Sequence, residues 1–274
     1  MTKGSQGSGR GTKPELRTTI NITDGTLIPS KDDGGLLSAW NISFFGAVGL
    51  LILLPILSPN PYLRILAFVP DGLVATFTVT IVSIVFALII GLFAGLGRIS
   101  QNKVINRIST VYVEIIRGIP LLVQLFYIYY ALGPVLKMQG PPAAILAMSI
   151  CYGAYMAEIF RAGIQAIPKG QMEAALALGM SRSMAMRKII IPQTVRIILP
   201  PIGNEFIALL KDSSLVSILA VSDLLRRGRE YASTSFRYFE SYTVIALIYL
   251  VLTLFFSRLV AFMEEKLGHR DSVH

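Results

Sequence analysis

The chain has 274 residues, of which 53% are hydrophobic and only 15% charged, with a mean hydropathy of +0.63. A soluble domain carries about 25% charged residues, so this balance, with its long uncharged apolar runs, excludes an ordinary soluble fold and points to a lipid bilayer. The 25 Lys and Arg outnumber the 16 Asp and Glu, an excess better explained by membrane topology than by nucleic acid, because basic residues collect on cytoplasmic loops. One cysteine, Cys151, excludes an internal disulfide, and two histidines, His269 and His274, argue against a metal site.

Spanning the hydrocarbon core takes about 20 apolar residues in a helix. Residues 1–35 contain no such run. They are polar, hold five basic and four acidic side chains, and are expected to form a disordered cytosolic tail, not a signal peptide. The first predicted span is Leu36–Leu57, with Trp40 in the position of an interfacial aromatic. The second, Gly72–Leu96, ends in glycine-rich sequence at Gly91, Gly95 and Gly97. The third, Ser109–Leu132, is interrupted by Glu114, Arg117, Gly118 and Pro120. The fourth is Pro142–Phe160, the fifth Ile189–Leu210, and the sixth Tyr242–Phe262. Pro200-Pro201 is expected to break the fifth and free backbone carbonyls there.

Basic residues set the orientation. Arg98, Lys103 and Arg107 follow the second span, and Arg161, Lys169, Arg182, Arg187 and Lys188 follow the fourth against a single Glu173. Both segments belong inside by the positive-inside rule; short loops around Arg64 and Lys137 then face out, and both termini are cytosolic. Residues 211–240 fit less well, carrying Lys211, Arg226, Arg227, Arg229 and Arg237 on the outer side. A folded external element is expected there.

The stretch 168–192 carries the clearest mechanism. Helix formers dominate from Gln171 to Leu178, Gly179 is placed to end that helix in a left-handed cap, and Ser181 to cap a second one leading into the fifth span. A short helix, a glycine turn and a membrane helix form an element that a soluble partner can grip. The order Glu173-Ala174-Ala175, Gly179, Ile189 and Ile191-Pro192 resembles the EAA loop of binding-protein-dependent ABC importers, with Ile191 standing where that pattern has Leu. Residues 114–124, 152–170 and 196–215, with Phe236-Arg237 and Phe239-Glu240, are similar to the polar-amino-acid permeases of the histidine and glutamine type.

The resemblance implies an all-α, type I ABC importer permease fold of about six transmembrane helices with a cytosolic coupling helix. Residues 71–267 would form the permease domain of a bacterial inner-membrane protein. Residues 36–70 would add an N-terminal transmembrane helix and external loop to the family's usual five-span core, and 268–274 a cytosolic C-terminal tail. It implies a non-enzymatic transport subunit for glutamine, glutamate or aspartate, histidine or a similar amino acid, working by alternating access. Its implied partners are ABC ATPase subunits, a second permease subunit (a copy or a paralogue), an external solute-binding protein and membrane lipid. No Gly-Lys dipeptide occurs in the chain, so no phosphate-cradling Walker A loop can form. ATP and Mg are therefore expected on the partner ATPase, and no cofactor on this chain. The rival reading is a secondary transporter or channel that needs no ATPase.

Ionisable groups at membrane depth usually face protein or a water-filled path. Asn204 and Glu205, and the uncharged Gln124, are the candidates to line a translocation pathway, each against the plainer reading of a helix–helix hydrogen bond. Glu114 and Arg117 stand at i and i+3 and are expected to pair on one helix face, as are Glu158 and Arg161. The family reading makes Lys211, Asp212, Ser213 and Ser214 part of an external gate that docks the binding protein.

Overall fold

The computed structural model describes residues 38–268, so the expected 1–35 tail and nearly all of the 268–274 tail lie outside the described residues. Within them the chain is helical and holds no strand. In chain order the helices are α1 (Ala39–Leu57), α2 (Pro59–Phe68), α3 (Pro70–Arg98), α4 (Lys103–Gly118) and α5 (Leu121–Phe126). A π-helical segment, Tyr127–Leu132, links α5 to α6 (Gly133–Leu136). There follow α7 (Pro141–Gln165), α8 (Lys169–Ala177), α9 (Arg182–Ala185), a second π-helical segment at Met186–Ile190, α10 (Ile191–Asp212), a 3₁₀ segment at Ser213–Leu219, α11 (Leu224–Ser235) and α12 (Tyr238–Gly268).

Helix α7 is the centre of the molecule, and α3 is its principal neighbour. Lipid is as apolar as leucine, so helices in a bilayer associate by close packing and interhelical hydrogen bonds. Both operate here. A methyl group on Gly91 would collide with Met156 Cβ, and one on Gly95 would lie 2.7 Å from the Ala157 carbonyl oxygen. Ser149 Oγ donates to the Ile145 carbonyl at 2.6 Å and to Ser83 of α3 at 3.4 Å. The glycines noted in the sequence are thus a packing seam.

Helix α1 is nearly the reverse. Only Ala47 and Pro55 are buried along it, while Phe45 and Leu57 are 65% and 70% exposed. It is fixed to α12 at its start: Trp40 Nε1 donates to the Leu254 carbonyl at 3.1 Å, and the Arg258 guanidinium lies 5.5 Å from the Trp40 ring centroid. The connection around Arg64, expected as a loop, is the helix α2.

Among the described residues, four helical stretches are long and apolar enough to cross a membrane: Ala39–Leu57, Pro59–Arg98, Pro141–Gln165 and Tyr238–Leu267. The single span expected over Ser109–Leu132 is instead two helical stretches meeting at a bend of 102°. Proline disfavours helical backbone in the residue before it; Ile119 is accordingly extended, at φ −108° and ψ 129°. A second correction concerns Pro200 and Pro201, which interrupt nothing: α10 runs through both. Proline's fixed φ suits a helix, and surrounding helices make the two lost hydrogen bonds tolerable in a span. At 22 residues, α10 is long enough to cross, but it carries Arg196, Glu205, Lys211 and Asp212.

Candidate functional site

Three arrangements carry chemistry. The first is the hook formed by α8, Gly179 and α9. The Met180 N–H donates to the Ala175 carbonyl at 3.1 Å and the Gly179 N–H to Leu176 at 3.0 Å, the paired bonds of a Schellman motif. Gly179 has φ +81°, a conformation that L side chains rarely adopt. Ser181 then caps the next helix, its Oγ accepting from the Met184 N–H at 3.2 Å. The expected helix, turn and cap are all formed. Ala175 and Ala185 are buried where α8 folds back on the following helix, while Glu173, Ala174 and Pro192 are exposed. Leu176 and Leu178 are 43% and 83% exposed. The hook therefore offers a ledge with two uncovered leucines, shaped by local backbone bonds.

The second arrangement is the corner between α4 and α5 with the polar groups near it. The Gln124 amide nitrogen donates to the Ile116 and Ile119 carbonyls at 2.8 Å each, covering the acceptors that end α4. Its amide nitrogen is thus committed to the corner, while its buried Oε1 has no hydrogen-bond partner among the described residues. Beyond the corner, Tyr152 Oη donates to Asp212 Oδ2 at 2.8 Å, and the Arg117 guanidinium lies 5.2 Å from the Tyr155 ring centroid. Glu205 has Arg117 and Asp212 as charged neighbours, and Asn204 and Glu205 are both partly exposed. Asp212, expected only at an external gate, joins Glu205 in this group. The grouping was within reach of the sequence, since residues seven apart, like three apart, share a helix face. Nothing local says that Tyr152-Tyr155 and Glu205-Asp212 face each other.

The expected Glu114–Arg117 pair is not formed. Arg117 turns to Tyr155, and Glu114 makes no hydrogen bond or ion pair among the described residues. Glu158–Arg161 is formed, and Arg98 from α3 closes on the same carboxylate.

The third arrangement is 211–240, a folded element as expected. Lys211 is exposed and Ser214 partly so, while Ser213 is buried and donates to the Leu210 carbonyl at 2.7 Å. Helix α11 has 12 residues, about 18 Å of helix, too short to cross about 30 Å of hydrocarbon. Asp223 caps it, accepting from the Arg226 and Leu225 N–H groups at 3.1 and 3.2 Å, and Thr76 of α3 accepts from the Leu224 N–H at 3.0 Å. Burial pushes the Asp223 carboxyl up to about 6 despite those donors. Arg227 ion-pairs with Asp71 and Glu230 and lies over Phe68, and Arg226 pairs with Glu230. Hydrogen bonds from Arg226, more than from Arg227, hold the Glu230 carboxyl below the ordinary range. Among the described residues no cluster of three His, Cys, Asp or Glu could hold a metal ion.

Most of the chain is similar to known proteins. The model of a family described as binding-protein-dependent transport system inner membrane component matches residues 87–269. The probable amino-acid permease protein YxeN of Bacillus subtilis (strain 168) is 41% identical over 204 residues, which covers 72% of this chain and 90% of that one. The glutamine transport system permease protein GlnP of Escherichia coli (strain K12) is 36% identical over 200 residues, covering 72% and 91%. The crystal structure of an amino acid ABC transporter with histidines matches with a TM-score of 0.71 at 43% identity, covering 74% and 96%. The inward-facing MetNI methionine ABC transporter, at 22% identity and a TM-score of 0.61, shares the fold.

Proposed function

Since the chain belongs to the family of binding-protein-dependent transport system inner membrane components, we propose that it is the permease that carries a polar amino acid in an ATP-driven importer. It is a transport subunit of an ABC importer, and the ATPase activity lies in a separate subunit. The names of its relatives, an amino-acid permease and a glutamine permease, support the substrate class. Two permeases, identical or homologous, pair across a central path and sit on two ATPase subunits that hold ATP and Mg. Both termini of this chain face the cytosol, and residues 36–70 are an addition to a five-span core.

The observation that carries this reading is the hook. Helix α8, with Glu173, Ala174 and the exposed Leu176 and Leu178, seats in the ATPase; Gly179 and Pro192 set the angle at which α10 follows. ATP-driven closure of the ATPases moves α8, tilts α10 and carries Asn204, Glu205 and Asp212 between outward-open and inward-open states. Glu205 and Asp212 offer carboxylates to the substrate ammonium, with Tyr152 orienting Asp212. Lys211, Ser214 and α11 meet the external binding protein.

The test is ATP-dependent uptake into vesicles that contain this chain, its ATPase and its binding protein. Deletion of 171–180 is expected to abolish uptake while the chain still inserts. Undiminished uptake in that variant, or uptake driven by an ion gradient without any ATPase, would overturn the reading.

A further inference from the structure

Helix α11 rests on a shallow seat. Leu224 and Ala232 are fully buried beneath it, and a methyl group on Gly228 would collide with Ile245 of α12. At its start the seat encloses Asp223, which has no exposed surface. The carboxylate accepts from two backbone N–H groups but makes no ion pair among the described residues. The charges around it are committed elsewhere. On α11 itself, Arg226 and Arg227 are held by Glu230 and Asp71, and Arg229 donates to the Ser217 carbonyl at 3.2 Å. Helix α3 presents Thr76 and the paired Asp71. Helix α12 presents the uncharged Tyr249 phenol and, at its start, Glu240 paired with Arg237. Helix α2 adds Tyr62 and an exposed Arg64, and the 3₁₀ segment Ser213–Leu219 has no titratable side chain. An ionised carboxylate enclosed without a cation is costly. A protonated one still accepts from both N–H groups and sheds that cost; so does an ionised one that reaches water.

The ends of α11 are built to turn. Ala220, just before it, and Phe236, just after it, have φ +62° and +59°, a left-handed conformation that residues with a Cβ adopt reluctantly. Phe236 is 81% exposed, so burial of its ring does not explain the turn. Residues at the ends of elements absorb the backbone change of a hinge. Resting on the proposed function only for the side of the membrane, we infer that α11 is an acid-held flap on the outer face, seated while Asp223 is protonated and swung out on Ala220 and Phe236 when the carboxyl ionises and takes up water. The pH window follows from Asp223, which titrates near 6 in the seated helix against an ordinary 3.8. Seating is therefore strongest in acid and weakens as the pH rises through 6, by about tenfold in the seated-to-open ratio between pH 5 and 8. The flap makes the surface offered to the external binding protein depend on the acidity outside.

The test uses the whole complex in vesicles, with Ala232→Cys as the reporter in a Cys151→Ala background and a membrane-impermeant maleimide outside. Maleimides react with the thiolate, so each rate is divided by that of Phe239→Cys, a site 78% exposed with α11 seated. The ratio is expected to rise about tenfold from pH 5 to pH 8. Adding Asp223→Asn, which keeps a capping side chain without the charge, should leave the ratio low and flat. Where that variant does not fold, Asp223→Ser, also a capping residue, takes its place. A ratio that ignores pH in the unaltered flap overturns the proposal. So does one that rises as steeply, or stands high throughout, once the carboxyl is gone. Labelling that follows pH in a complex with no ATP-dependent uptake would uphold the flap and overturn the proposed function; ATP-dependent uptake with labelling blind to pH would do the reverse.

Discussion

The α3–α7 seam and the α8–α9 hook are held by opposite means. The seam depends on side chains that are missing or small, Gly91 and Gly95 against Met156 and Ala157, so that backbones approach closely. The hook depends on backbone bonds, the Schellman pair at Gly179 and the Ser181 cap, and its side chains are largely exposed. A seam of this kind transmits displacement as a rigid body, because packed interiors do not deform continuously. A hook of this kind keeps its angle while leaving its surface free for a partner. The division suits a machine whose motor is another chain.

The sharpest way to break the seam is Gly91→Leu. Overpacking against Met156 is expected to cost about 3 kcal/mol or more, read as loss of folded protein in detergent. Gln124→Leu tests the corner between the two regions. It strips the Ile116 and Ile119 carbonyls of their donor and should cost about 2 kcal/mol, read as a lower unfolding temperature. Gly179→Val forces a branched residue to φ +81°, at about 1–2 kcal/mol. Its larger effect should be on function: uptake lost while the α3–α7 seam melts unchanged.

For α11, the sign of the pH effect follows from Asp223. Its carboxyl titrates near 6 in the fold against an ordinary 3.8, so the folded state holds the proton more tightly. Stability is expected to fall as the pH rises through that window, by about 1 kcal/mol between pH 5 and 8. Asp223→Asn keeps a capping side chain and should flatten the profile; an unchanged slope would show that another group is responsible. Ser181→Ala is the smallest change, about 1 kcal/mol from a lost cap, and should lower the ATPase-coupled rate without abolishing it.

The sequence was legible where the determinants are local. Gly179 and Ser181 each act within four residues, and the hook stands as their positions foretold. Pro120 announced an interruption, but the right angle it makes depends on Gln124 reaching back to close α4, and nothing in the local pattern shows that. Pro200 and Pro201 misled for the converse reason: a rule about isolated helices yields where neighbouring helices hold α10 straight enough to continue. Glu114 and Arg117 have the spacing of a pair, yet Tyr155, 38 residues on from Arg117, takes the guanidinium. The Tyr152–Asp212 bond spans 60 residues and lies beyond any periodicity argument.

The Trp40 latch bears on the order of assembly. It joins residues 214 positions apart, and at about 5–20 residues per second of synthesis the α12 backbone emerges tens of seconds after α1. Until then α1 has α2 beside it but not α12, and its largely apolar surface suits it to wait in the bilayer. Closing the latch is therefore a late step, and a chain truncated before Leu254 would present α1 without its hold on α12 to whatever quality-control machinery patrols the membrane.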